Sequence, residues 1–262
     1  VRLVDLTRKL EIVDKEKFPA QLMPLYRIIS PEIEYIDHAA GAKIMQQIFQ
    51  CQSSDLPCGE GWAEENVSIS SHLGTHVDAP WHYGSTSGDR PAMTVDQIPL
   101  EELYCDTFVL DFSSKKGSGS AITVADIETE LSRIEHSIKD GDACLIRTDH
   151  DKYALNDPMR YNYPGLIGES ARWLSDHGVK VGGTDATGWD RPFHIMVADW
   201  MRTKNKEKIW DAHYAHRARD FYVVQQMCNL DQLPPHGFKT AFFPLPLSKA
   251  SAAPARVVAF IP

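Results

Sequence analysis

The sequence predicts a single α/β domain spanning residues 1–262, with a mixed sheet and packed helices, and three observations carry that expectation. Short β-rich runs recur along the chain. Two segments between them place apolar residues at helical spacing. No polar stretch is long enough to act as a linker between domains, and 262 residues suffice for a substantial core.

The first strand is Thr107 to Phe112, a run of β-branched and aromatic residues. A helix follows over Val124 to Ile134, with apolar residues at 124, 127, 131 and 134 on one face and Thr123 placed to cap its start. Ala143 to Thr148 is the next strand. Glu169 to His177 forms a second helix, ended by Gly178, and Val179 to Gly182 then returns as a strand. Phe221 to Met227 and Val257 to Ile261 complete the set. Polar stretches at 113–120 and 203–208 are ordinary connections, and the proline-rich pieces Leu233 to Pro235 and Pro244 to Pro246 are expected to wrap the surface.

Composition narrows the partners. Lys plus Arg number 27 against 36 Asp plus Glu, a net charge of −9, which leaves no dense basic patch for a nucleic-acid backbone. The five cysteines, at 51, 58, 105, 144 and 228, are odd in number and form no C-x-x-C pair. A disulfide framework and a cysteine zinc site are therefore not expected, and a reducing, cytoplasmic compartment fits. No apolar run approaches the roughly 20 residues that span a bilayer, so no membrane partner is expected. The start is charged rather than signal-like, and its Val in place of Met leaves a trimmed leader open.

The chemistry concentrates in His72-Leu73-Gly74-Thr75-His76-Val77-Asp78-Ala79-Pro80-Trp81-His82, three imidazoles and a carboxylate in one short stretch. These nitrogen and oxygen donors suit Zn²⁺, Mn²⁺ or Fe²⁺, and the absence of nearby thiolates points to a catalytic rather than a structural site. Fully extended, the chain would hold His72 and His76 roughly 13 Å apart, too far for ligands of one ion. A bend at Gly74, with Pro80 stopping any helix, predicts a turned loop. Two other readings of the same residues remain: the two-His-one-carboxylate triad of a non-haem iron oxygenase, and a non-enzymatic metal-binding module. The first sits poorly with alternating helices and strands, because that chemistry usually occupies a jelly roll.

The segment resembles the H-x-G-T-H-x-D-x-P-x-H signature of the cyclase family of metal-dependent hydrolases, which includes kynurenine formamidases and isatin hydrolases. The resemblance extends to Asp5-Leu6-Thr7, to Val181-Gly182-Gly183-Thr184-Asp185 and to Asn229-Leu230-Asp231-Gln232-Leu233. It implies a swivelling β/β/α-like fold, a homodimer and metal-dependent hydrolysis of a C–N bond. In the formamidases a later His and a Glu complete the metal site; the matching positions are His213 and Gln225. Replacement of the bridging acid by an amide favours one divalent ion, held by His72, His76, Asp78 and Gln225, with Mn²⁺ preferred and Zn²⁺ the alternative.

Gln225 together with Trp81-His82-Tyr83 is similar to the isatin-hydrolysing members. The resemblance therefore implies a small aromatic lactam substrate and ring opening of isatin to isatinate, with N-formylkynurenine hydrolysis as the alternative. His82 and His213 are the candidate acid and base, since imidazole exchanges protons near neutrality; the resemblance leaves a metal-ligand role as the alternative for either, as in two-metal members, and His216 is their nearest rival. Trp62 and Trp81 are candidates to stack on a flat substrate, although core packing would use them equally well. Asp185 is expected either to orient a ligand histidine or to cap a turn.

Overall fold

Seven strands close into a barrel-like ring. The computed structural model describes residues 1–115 and 120–262, so residues 116–119 of the 113–120 connection lie outside the described residues. The strands are β1 Arg2–Asp5, β2 His76–Asp78, β3 Tyr104–Asp111, β4 Ala143–Arg147, β5 Val181–Thr184, β6 Tyr222–Gln225, β7 Phe238–Pro244 and β8 Ala252–Ile261. The ring runs β2-β8-β7-β3-β4-β5-β6 and returns to β2, with β1 antiparallel along the far end of β8. Strands β3 to β6 are parallel and the remaining pairs antiparallel, giving the mixed sheet that was expected.

Where the parallel strands pair they are buried on both faces, which is why Phe108–Leu110 and Ala143–Ile146 are continuous apolar runs. Val109, Leu145, Val181 and Val224 fill the interior of the ring. Their neighbours Phe108, Leu110, Cys144, Ile146 and Val223 point outwards, against the helices. Five α-helices are present among the described residues: α1 His38–Phe49, α2 Val124–Arg133, α3 Gly168–Asp176, α4 Phe193–Thr203 and α5 Asp211–Ala215. Thr123 begins α2 with a reciprocal cap, its hydroxyl accepting from the Asp126 amide while Asp126 accepts from the Thr123 amide at 2.8 Å. Gly178, at φ 104°, follows the end of α3 in the left-handed region.

The structure departs from expectation in several places, and α1, α4, α5 and β1 are further elements without a counterpart in the sequence reading. The strand placed at 179–182 occupies 181–184, because Gly182 and Gly183 lie inside it. A Cβ at Gly182 would come within 2.5 Å of the Trp189 ring, and one at Gly183 within 2.5 Å of Leu145. These glycines let neighbours pack onto the strand rather than ending it. Strand β7, which carries Pro244, has no counterpart in the sequence reading. Finally, the turned loop expected over 72–82 is a bend at 71–75, then β2 at 76–78, then a 3₁₀ turn at Pro80–His82. Gly74 does hold the bend, at φ +63°. A two-stranded antiparallel ribbon pairs Glu32–Ile36 with Glu64–Ser68, on either side of α1 in the chain, and is largely exposed. Among the described residues no helix is long and apolar enough to cross a membrane.

Candidate metal centre

Strand β2 lies between β6 and β8, with His76 opposite Gln225 and Asp78 opposite Val223. Val77 and Val224 face the interior of the ring, so His76, Asp78 and Gln225 share the outer face beneath the helices. The 71–75 bend brings His72 back over this face. The 3₁₀ turn returns His82, held by the Tyr83 hydroxyl donating to the Phe221 carbonyl, and α5 supplies His213.

Asp78 is fully buried at the centre. Its Oδ1 lies 2.8 Å from His72 Nδ1 and 3.3 Å from His76 Nε2. His76 Nδ1 donates to the Gly74 carbonyl at 2.8 Å, which leaves Nε2 with a lone pair. Both His76 Nε2 and Asp78 Oδ1 are buried without a hydrogen-bond partner among the described residues. The 2.8 Å approach of His72 Nδ1 to that oxygen is likewise a close contact without hydrogen-bond geometry. An imidazole lone pair facing a carboxylate oxygen in a dry site is unfavourable, and a divalent cation relieves it. The donor set thus fits a metal. His82 belongs to the same cluster: His72, Asp78 and His82 each offer a ligand atom within 4.8 Å of the others.

Gln225 lies in the cluster, beside both Asp78 and His213. Its amide nitrogen donates to Asp78 Oδ2 at 2.6 Å and lies 3.3 Å from His213 Nε2. In this orientation the amide holds Asp78 by its N–H, and a half-turn of the amide would bring its carbonyl oxygen to the same place. The physical reason is local: a buried carboxylate oxygen needs a donor, and Gln225 is the neighbour that supplies one.

The two acid-base candidates are pushed apart. Burial would depress the His213 imidazole, but Asp190, hydrogen-bonded to Nδ1, together with Asp78, raises it to about 9. For His82 burial dominates over the attraction of Asp78, and with His72 and His213 nearby it falls to about 3. Asp78 itself would be raised by burial, yet His82, His76 and His72 hold it well below the usual carboxylate range. Without metal, one imidazole is therefore charged and the other neutral near pH 7. Trp210 stacks on His213, with ring centres 4.3 Å apart, and meets the edge of His82 at 5.0 Å.

His216 is a packing residue. Its ring stacks on Phe221 at 3.7 Å, Nε2 accepts from the Trp189 indole at 3.1 Å, and burial pushes its basicity far down. Asp185 takes the turn role, accepting from the amides of Thr148 and Asp149 and the hydroxyl of Thr148; burial raises it to about 7. The orienting role falls to Asp190, which the sequence reading missed. Its only signal was its place in Gly188-Trp189-Asp190, a few residues past the Gly-Gly-Thr-Asp run.

Above the cluster opens a cavity of about 270 Å³, lined by His72, His76, His82, His213 and Gln225 at its polar end and by Leu25, Ile28, Phe193, Met196 and Trp210 elsewhere. Trp62 and Trp81 are not among its walls. They are 39% and 45% exposed, and the aromatic surface beside the histidines belongs to Trp210 and Phe193.

Known proteins resemble this chain in sequence and overall fold. The model of the Cyclase family matches residues 4–191. Kynurenine formamidase of Erythrobacter litoralis is 27% identical over 192 residues, covering 73% of this chain and 74% of that protein. Isatin hydrolase of Roseibium aggregatum is 23% identical over 202 residues, covering 74% and 73%. The structure of isatin hydrolase A from Labrenzia aggregata superposes with a TM-score of 0.73 at 26% identity, over 99% of this chain and 93% of that one.

Proposed function

Because this chain belongs to the Cyclase family, we propose that it is a metal-dependent hydrolase that opens a small aromatic cyclic amide, with isatin to isatinate as the reaction that fits best. The observation that carries the reading is the pair of buried, unpartnered atoms His76 Nε2 and Asp78 Oδ1, 3.3 Å apart at the polar end of an apolar cavity. His72, His76 and Asp78 are the residues that would hold one ion, Mn²⁺ by preference and Zn²⁺ as the alternative, with Gln225 fixing Asp78. Such an ion supplies Lewis acidity and brings the pKa of bound water towards neutrality.

The chain's own groups do the rest. Trp210 and Phe193 present flat apolar surface to a bicyclic ring, and the walls limit water around the reacting amide. His82, at the edge of Trp210 and beside His72, is the imidazole assigned to accept a proton from water. Protonated His213, held in one orientation by Asp190, donates a proton to the leaving nitrogen, so that cleavage of the C–N bond yields an amine and a carboxylate. A homodimer is part of the proposal, to be checked by light scattering.

Hydrolysis of N-formylkynurenine is the second reading. It is favoured by the formamidase relative and by Arg27 and Arg191 in the cavity lining, which suit a substrate carboxylate. Turnover of isatin against N-formylkynurenine by metal-reconstituted protein decides between them. A higher kcat/KM for isatin supports the proposal, and exclusive turnover of the formamide overturns it.

A further inference from the structure

Pro24, Leu25, Ile28, Tyr163, Thr187 and Phe193 line the metal-side cavity and also a second chamber of about 520 Å³. The second chamber is built from the 3₁₀ helix Ala20–Ile28 and the start of α4, and it adds Gln21, Leu22, Tyr161, Pro192, His194 and Val197. Among the described residues no aspartate, glutamate, lysine or arginine lines it.

Sites for drug-sized ligands occupy roughly 300–1,000 Å³ and are mostly apolar, with a few convergent polar groups. The metal-side cavity alone falls below that range, and the two chambers together fall within it. The charged lining residues, Arg27, Asp190 and Arg191, all belong to the metal-side cavity. Phe193 and Val197, one turn apart on α4, are 54% and 57% exposed, and apolar surface of this kind gains by being covered.

We infer that the substrate is larger than a bare bicyclic lactam: its amide lies at the Asp78 end, and an uncharged apolar substituent of about ring size occupies the second chamber. This inference rests on the proposed amide hydrolysis for the placement of the polar end. The occupant of the outer chamber follows from its lining, which is mostly aliphatic and aromatic with Gln21, Thr187 and His194 among its polar members and no carboxylate, lysine or arginine to pair with a charged group.

The test uses isatin, 5-phenylisatin and 1-phenylisatin, the two phenyl isomers probing two exit directions. Binding is measured by titration calorimetry on the metal-free chain, and kcat/KM on the metal-loaded chain. At least one phenyl isomer should bind tenfold or more tightly than isatin, about 1.4 kcal/mol. Val197→Glu and Leu22→Glu should each cut that preference to below threefold, with circular dichroism confirming the fold. Both phenyl isomers binding no better than isatin, or a preference that survives both variants, would overturn the inference. If isatin is not hydrolysed but the preference appears and both variants erase it, the second chamber stands and the proposed reaction fails.

Discussion

The Asp190 carboxylate accepts the hydrogen bond of His213 Nδ1, and both side chains are buried. The pairing leaves His213 Nε2 aimed at Asp78, 3.7 Å from Oδ2. One aspartate thus sets the charge and orientation of the imidazole, while another, with the same formal charge, lies at the candidate ion site. Asp190→Asn separates the two effects.

In the metal-free chain His213 is raised from an ordinary value near 6.5 to about 9. Its contribution to stability is therefore fully present below pH 6.5 and is lost as pH rises through 9. NMR titration should follow this directly. Asp190→Asn should lower the His213 pKa, remove the stability lost between pH 6.5 and 9, and reduce hydrolysis on the order of 10²-fold. An unshifted titration would show that Asp190 does not control His213.

His82 shares the cluster with His72 and Asp78, so its role is settled by metal content rather than by rate alone. His82→Ala should lower turnover on the order of 10²- to 10⁴-fold while retaining one ion per chain. Loss of the ion in parallel with activity would make His82 a ligand.

Gln225→Glu replaces the amide that donates to Asp78 at 2.6 Å with a second carboxylate. Two like charges at that separation in a buried site are strongly unfavourable. The metal-free variant should melt at a lower temperature than the unmutated chain, and metal analysis should find two ions per chain where the parent binds one. Ring opening should slow, since a second ion competes for His82 and His213.

Gly74→Ala tests the bend. The backbone at φ +63° costs an alanine about 1–2 kcal/mol, and its Cβ would meet the end of the Leu10 side chain. Thermal unfolding should show that loss, and metal affinity should fall with it because His72 and His76 flank the bend.

The parallel strands and α2 were legible in the sequence because each satisfies a local rule, apolar continuity for Ala143–Arg147 and helical spacing with a Thr123 cap for Val124–Arg133. Strand β2 was not. Its three residues carry two metal-ligand candidates, and its extended form comes from pairing with β6 and β8, partners about 150 or more residues away. The cluster of His72, His76, Asp78 and His82 was visible as spacing, whereas Asp190 and Trp210 reach the site only through the placement of α5 and the segment before α4. The amide orientation of Gln225 depends on which atom Asp78 presents, and no sequence pattern contains that.

The central claim is that Asp78 is the anchor of an ion required for hydrolysis, and metal content measured together with isatin turnover in Asp78→Asn tests it most directly. Stripped and reconstituted with Mn²⁺ or Zn²⁺, the parent chain should bind one ion and recover ring opening. The variant should fold, bind none and remain inactive. Full turnover by the metal-free parent, or a variant that keeps both ion and activity, would contradict the account.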